Sequence, residues 1–91
     1  VSEAPARQRV DSWLWMARFF RTRAAAQAAL AAGQVRRQGR LLDKGDMLRA
    51  GDVLTLVAGD RLRTVEVAGF AEKRGGAAAG QALYRDLHPP A

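Results

Sequence analysis

The sequence predicts an α+β fold in which two N-terminal helices, forming a helix-turn-helix-strand unit, pack on a small curved antiparallel sheet and a short C-terminal extension follows. Two observations predict it. Before Gly33 the apolar residues fall at helical spacing or form an alanine run, and beyond Gly39 the pattern changes to short β-rich runs bounded by Gly-Asp turns.

The elements follow in order. Val1 to Arg7 reads as a fraying leader, with residues 1–8 set apart from the domain. Asp11 serves as an N-cap or first-turn acid, and Trp13, Met16, Ala17 and Phe20 form one stripe, predicting a first helix from Asp11 to Phe20. Trp13 and Phe20 belong to its core face. Trp15 is left open, and Phe19 is expected to pack against the sheet rather than stack on a ligand. Thr22 caps a second helix over Arg23 to Ala32, which Gly33 terminates. Gln34 to Arg37 is a brief extended segment before a turn at Gly39. Val53 to Val57 reads as a buried strand after a Gly51-Asp52 turn, and Leu62 to Gly69 as its hairpin partner across Gly59-Asp60. The domain proper is expected over 9–74. Gly75 to Gly80 reads as a flexible linker, and Gln81 to Leu87 as one or two helical turns or a docked tail ended by Pro89 and Pro90.

A chain of 91 residues has room for one domain, which buries roughly 60 to 70% of its unfolded surface. With 7% aromatic residues, the core must be built mainly from Ala, Leu and Val around a few rings. Cysteine is absent, which excludes disulfides and thiolate metal sites and fits a reducing compartment. No apolar run is long enough to cross a bilayer, and no secretory pattern opens the sequence. A soluble, cytoplasmic, monomeric protein with no membrane association is expected.

The formal charge is +6, and its placement is more informative than its size. From Arg7 to Arg40 eight arginines face a single acid, Asp11, whereas from Leu41 onward seven basic residues are balanced by seven acids. Thirteen of the fifteen basic residues are arginine, whose planar fork meets phosphate oxygens bidentately. Arg18 and Arg21 near the end of the first helix and Arg23 at the start of the second converge at one turn. Thr22 adds a hydroxyl there, and the start of the second helix adds free N–H groups, making a phosphate-binding corner. Arg36 and Arg37 lie on the next extended segment and point to opposite faces, so one of them at most shares the helical surface. Arg40 closes the basic third of the chain.

Catalysis finds no support in the residue types. His88 is the only histidine and sits beside two prolines, and Ser2 and Ser12 are the only serines, so neither a nucleophile-base pair nor a histidine metal site can be assembled. Asp43, Asp46, Asp52 and Asp60 read as turn residues. No cofactor or metal is expected, and no Gly-Lys-Ser or Gly-Lys-Thr phosphate loop occurs. Between Ala24 and Ala32 only Gln27 could reach a base edge, so duplex DNA binding is expected to be weak and unspecific.

The strings Arg9-Val10-Asp11-Ser12-Trp13-Leu14-Trp15 and Arg18-Phe19-Phe20-Arg21-Thr22-Arg23, followed by Gly33-Gln34-Val35 and Gly39, resemble the RNA-binding domain named after the fourth small-subunit ribosomal protein. Within that superfamily they are most similar to the small ribosome-associated heat-shock members of bacteria. The resemblance runs from Arg9 to Phe70, with a weaker echo at Lys73-Arg74-Gly75 and Ala82-Leu83-Tyr84. It implies an alpha-L motif of two helices and a strand that binds structured RNA. In the most similar members the RNA is that of the large ribosomal subunit carrying a stalled peptidyl-tRNA, which brings tRNA in as a further partner. Carried over by position, it implies RNA contact by Arg9, Arg18, Arg21, Thr22, Arg23, Arg36 and Arg37, with Gly33 and Gly39 as backbone turns. Gln27 joins this set through its reach to a base edge, and Arg40 from the charge reading. Two positions depart from the family pattern: Ser12 stands where a basic residue is frequent, and Gln38 where an Asn is usual. The sequence also ends at Pro89-Pro90-Ala91, ahead of the long basic extension of those members. An accessory module of an RNA-modifying enzyme, and a DNA-binding or protein-interaction module, are the competing readings.

Overall fold

The computed structural model describes residues 7–58 and 60–87. The leader up to Ala6, Gly59, and the tail with His88, Pro89 and Pro90 lie outside the described residues.

Helix α1 (Val10–Met16) follows strand β1 (Arg7–Arg9), and helix α2 (Arg23–Ala31) leads into strands β2 (Val35–Arg37) and β3 (Arg40–Leu41). Strands β4 (Met47–Arg49), β5 (Val53–Ala58) and β6 (Arg61–Val67) come next, then helix α3 (Ala77–Gln81) and strand β7 (Tyr84–Asp86). A five-stranded antiparallel sheet has the order β3-β2-β5-β6-β7, and β1 pairs separately with β4. The expected α+β architecture is present.

The first helix is shorter than its apolar stripe suggests. Arg18 takes a left-handed backbone, φ 67°, and the Arg18 and Phe19 N–H groups donate to the carbonyls of Trp15 and Leu14. This is the double hydrogen bond of a Schellman stop, usually built on glycine. An arginine there costs about 1 kcal/mol, and tertiary contacts supply the compensation. Phe19, released from the helix, packs at 5.9 Å from Trp13 and 4.6 Å from Tyr84, measured between ring centroids. Phe20 is therefore not on a helical core face but in the turn, partly buried against the core. Helix α2 stops in the same way at Gly33, φ 74°, with Gly33 and Gln34 donating to Leu30 and Ala29.

Gln38 and Gly39 both have positive φ and form the two-residue turn between β2 and β3, across which Arg37 and Arg40 are paired. In β5 only Leu54 and Leu56 are buried among the residues read as one buried strand, because the sheet carries helices on one face. The core gathers Val10, Trp13, Leu14, Ala26, Leu30, Val35, Leu48, Leu54, Leu56, Val65 and Val67 from both layers. Trp13 is fully buried, and its indole N–H donates to the Gly69 carbonyl at 3.0 Å.

Both ends of the domain differ from expectation. Arg7 and Gln8, read as leader, are in β1, where Gln8 pairs with Leu48 and donates to the Ala71 carbonyl at 2.8 Å. The stretch read as a linker holds α3, and of the two readings of Gln81 to Leu87, helical turns or a docked tail, the second is closer, since strand β7 completes the sheet beside β6. Tyr84 anchors it: the ring packs on Phe19 at a tilt of 43°, and Arg63 lies over both rings while pairing with Asp86 at 2.8 Å. Low-complexity composition concealed a segment held by one aromatic anchor and backbone pairing.

Candidate nucleic-acid interface

Arg9 occupies the N-cap position of α1 and forks onto Asp11, with Nε and Nη2 at 3.1 and 3.0 Å from its two oxygens. Asp11 is 2% exposed and also accepts from Gln27 Nε2 at 2.9 Å and from the Ser12 N–H at 2.8 Å. The carboxylate therefore ties α1 to α2 and sets their relative orientation. Burial pushes its pKa up, but the hydrogen bonds from Gln27, Arg9 and Ser12 outweigh this and hold it below the ordinary value of 3.8.

A carboxyl depressed on folding gives stability that is present above its unfolded pKa and is lost as pH falls through its folded pKa. Asp11→Asn is expected to lower stability by about 1 to 2 kcal/mol at neutral pH and to flatten its decline in acid below about pH 4. Urea unfolding midpoints over a pH series measure both effects.

The α1–α2 turn brings Arg18, Arg21, Thr22 and Arg23 together, all exposed. Thr22 is the N-cap of α2, accepting from the Ala25 N–H at 3.0 Å. Arg23 places its guanidinium 4.9 Å from the Trp15 ring centroid, and Arg18 donates to the Gly75 carbonyl at 3.0 Å. Arg36 and Arg40 project from the β2–β3 hairpin, exposed. Arg37 is turned inward by comparison, bonded to the Met47 carbonyl at 2.8 Å and to Asp52 at 3.4 Å. The expected division between Arg36 and Arg37 is thus present.

Ion pairing separates the arginines into two kinds. Among the described residues Arg9, Arg37, Arg63 and Arg85 are paired with carboxylates, whereas the other nine arginines have no such ion pair, and of these Arg18, Arg21, Arg23, Arg36 and Arg40 lie in the basic third of the chain, exposed at the corner and the β2–β3 hairpin. These arginines keep donors for an external anion, Arg18 with one of its own already given to the Gly75 carbonyl. Gln27, the one residue between Ala24 and Ala32 with base-reading reach, is engaged by Asp11. The rest of that helix face is alanine, bordering an open groove of about 580 Å³ with Leu30, Asp43 and Lys44. Such a face permits close approach of a backbone and carries few groups to read a base edge.

Sequence reasoning missed Arg74 and the role of Trp15. Arg74 comes from the charge-neutral part of the chain, yet it lies 5.3 Å from the Trp15 ring centroid. The only advance signal was the weak family echo at Lys73-Arg74-Gly75. Among the described residues no cluster of potential metal ligands occurs, and no helix is long and apolar enough to cross a membrane.

A two-helix corner with unpaired arginines, backed by an antiparallel sheet, defines a small basic module built to hold an extended anion. The chain belongs to the S4 domain family, whose sequence model matches residues 8–54. Within that family it is similar to heat shock protein 15 of Escherichia coli (strain K12), with 36% identity over 87 residues, 94% of this chain and 65% of that protein. It is also similar to the heat shock protein 15 homolog of Haemophilus influenzae, with 31% identity over 78 residues, 86% of this chain and 60% of that protein. The chain thus spans less than two thirds of the length of these relatives. A solved structure of heat shock protein 15 from Vibrio cholerae, described as trimeric, superposes with a TM-score of 0.85 at 32% identity, covering 89% of this chain and 82% of that one.

Proposed function

We propose that this chain binds structured ribosomal RNA of the large subunit, in complexes carrying stalled peptidyl-tRNA, as the RNA-gripping part of a cytoplasmic stress protein. The observation that carries the reading is the α1–α2 corner, where Arg18, Arg21 and Arg23 sit together on one turn, all exposed and none paired with a carboxylate among the described residues. Membership of the S4 domain family and similarity to heat shock protein 15 support it. The residues assigned to RNA are Arg18, Arg21, Thr22, Arg23, Arg36 and Arg40. Arg9, Arg37 and Gln27 act mainly by holding the scaffold, each adding a contact through whatever donor it leaves exposed.

Recognition is by shape. A-form helices hide their base edges in a deep groove, so a rigid set of guanidiniums reads phosphate spacing and junction geometry. Duplex DNA is then a weak, unspecific ligand. The role is binding rather than catalysis, and each chain carries a whole corner, so a monomer is able to bind; the Vibrio relative is described as trimeric.

Co-sedimentation with purified ribosomal subunits across a salt series tests this. Selective pelleting with the large subunit, stronger when peptidyl-tRNA is present, is expected, with a log–log salt slope of about −3 to −5 for roughly four to six phosphate contacts. Equal pelleting with both subunits, or equal competition by duplex DNA at the same salt, would overturn it.

A further inference from the structure

The S4 domain match ends at residue 54, but the basic corner is completed by chain well beyond it. Arg74 Nε donates to the Trp15 carbonyl at 2.9 Å, and Nη2 lies 3.4 Å from the Phe20 carbonyl. Both carbonyls belong to the end of α1 or the turn after it, and Arg74 adds a second donor to the Trp15 carbonyl, which already accepts from the Arg18 N–H. In return Arg18 Nη1 donates to the Gly75 carbonyl at 3.0 Å. The following helix is pressed against the same place: a Cβ at Gly80 would stand 2.9 Å from Arg18 Cγ and 3.1 Å from the Ala17 carbonyl oxygen. Strand β7 then pins the segment to the sheet.

Two guanidinium groups therefore lie against one indole ring, Arg23 at 4.9 Å and Arg74 at 5.3 Å from its centroid. Neither has a carboxylate partner among the described residues. Like charges both this near one ring, within about a Debye length of each other, repel unless an anion joins them. The ring stabilises each cation by roughly 1 kcal/mol and fixes its plane, while the carbonyl bonds use only part of the five donors of Arg74. Side-chain freedom is thus already lost before any ligand arrives, which favours binding.

We propose that Arg74 is a phosphate-contacting residue of the RNA interface and that Trp15 is the positioning residue that holds Arg23 and Arg74 toward it. The inference rests on the RNA-binding reading and extends it to a segment outside the matched family domain. Trp15, partly exposed beside both guanidiniums, is the tryptophan an RNA ligand would reach, Trp13 being fully buried, and comparison with Trp15→Phe isolates its emission.

The test is titration of the full chain and its variants with a stem–loop RNA, read by filter binding over a salt series and by tryptophan fluorescence. Arg74→Gln is expected to weaken binding about tenfold and to lower the magnitude of the salt slope by about one, whereas Arg74→Lys keeps the slope. Trp15→Phe retains a ring and is expected to bind within about threefold of the native chain, whereas Trp15→Leu loses about fivefold. RNA is expected to change the Trp15 emission of the native chain.

A merely structural Arg74 would lower the melting temperature in both variants and leave the salt slope at its native value, which would overturn the inference. Should Arg74→Gln fail to fold, native affinity in Trp15→Leu overturns it equally. Loss of binding on replacing Arg18, Arg21 and Arg23, with none on replacing Arg74 or Trp15, would sink this inference alone; a native chain that binds no RNA would sink the RNA reading with it.

Discussion

Replacing Arg18, Arg21 and Arg23 with alanine together is expected to weaken RNA binding by about three orders of magnitude near 0.1 M salt and to lower the magnitude of the log–log slope by about two to three. Each of the three is exposed and without an acidic partner among the described residues, so each loss removes a cation that an RNA phosphate would otherwise neutralise. The cost to the fold is small but present. Arg18 loses its bond to the Gly75 carbonyl and Arg23 its contact with the Trp15 ring, together about 1 to 2 kcal/mol, so the melting temperature falls by several degrees. Filter binding over a salt series and thermal unfolding measure the two separately. Removing Arg61 and Arg85 instead takes away charge outside the corner and is expected to weaken binding by less than about tenfold. Arg63, although it lies in the charge-balanced part of the sequence, is unsuitable as a control because it lies over Phe19 and Tyr84 and pairs with Asp86. Equal losses from the two sets would mean plain electrostatic attraction without a site.

The largest effect on stability is expected from Trp13→Ala. This indole is fully buried, stacks near Phe19, and satisfies the Gly69 carbonyl. Truncation leaves a cavity between α1 and the sheet and an acceptor without its donor, costing about 4 kcal/mol and lowering the melting temperature by about 20 °C in a domain of this size. Trp13→Phe keeps most of the ring volume but not the donor, and is expected to cost about half as much. Urea and thermal unfolding check both. A small loss for Trp13→Ala would show that Phe19 and Tyr84 can close over the space.

The two stability predictions, for Asp11 and Trp13, act on opposite sides of α1. Asp11 fixes this helix to α2 through Gln27. Trp13 fixes it to the loop after β6 through Gly69. The corner that presents Arg18, Arg21 and Arg23 is the end of this doubly held helix, so its geometry depends on residues that never touch an anion.

By itself the sequence determined the α+β class, the short second helix with its Thr22 cap and Gly33 stop, the central hairpin, and the concentration of arginine before Leu41. These are local properties: capping chemistry, alanine propensity, the need for positive φ at a helix end, and charge counted along the chain. Only the tertiary structure decided where α1 ends, because Arg18 adopts a glycine-like backbone that no local rule favours, stabilised by the packing of Phe19 and by Gly75 and Arg74 far along the chain. Only tertiary structure decided which arginines are available, since the carboxylates that engage Arg37 and Arg63 are distant in sequence. The strands β1 and β7 escaped a sequence reading for the same reason: three residues carry too little pattern to announce a strand, and their partners, β4 and β6, are found only when the chain folds back.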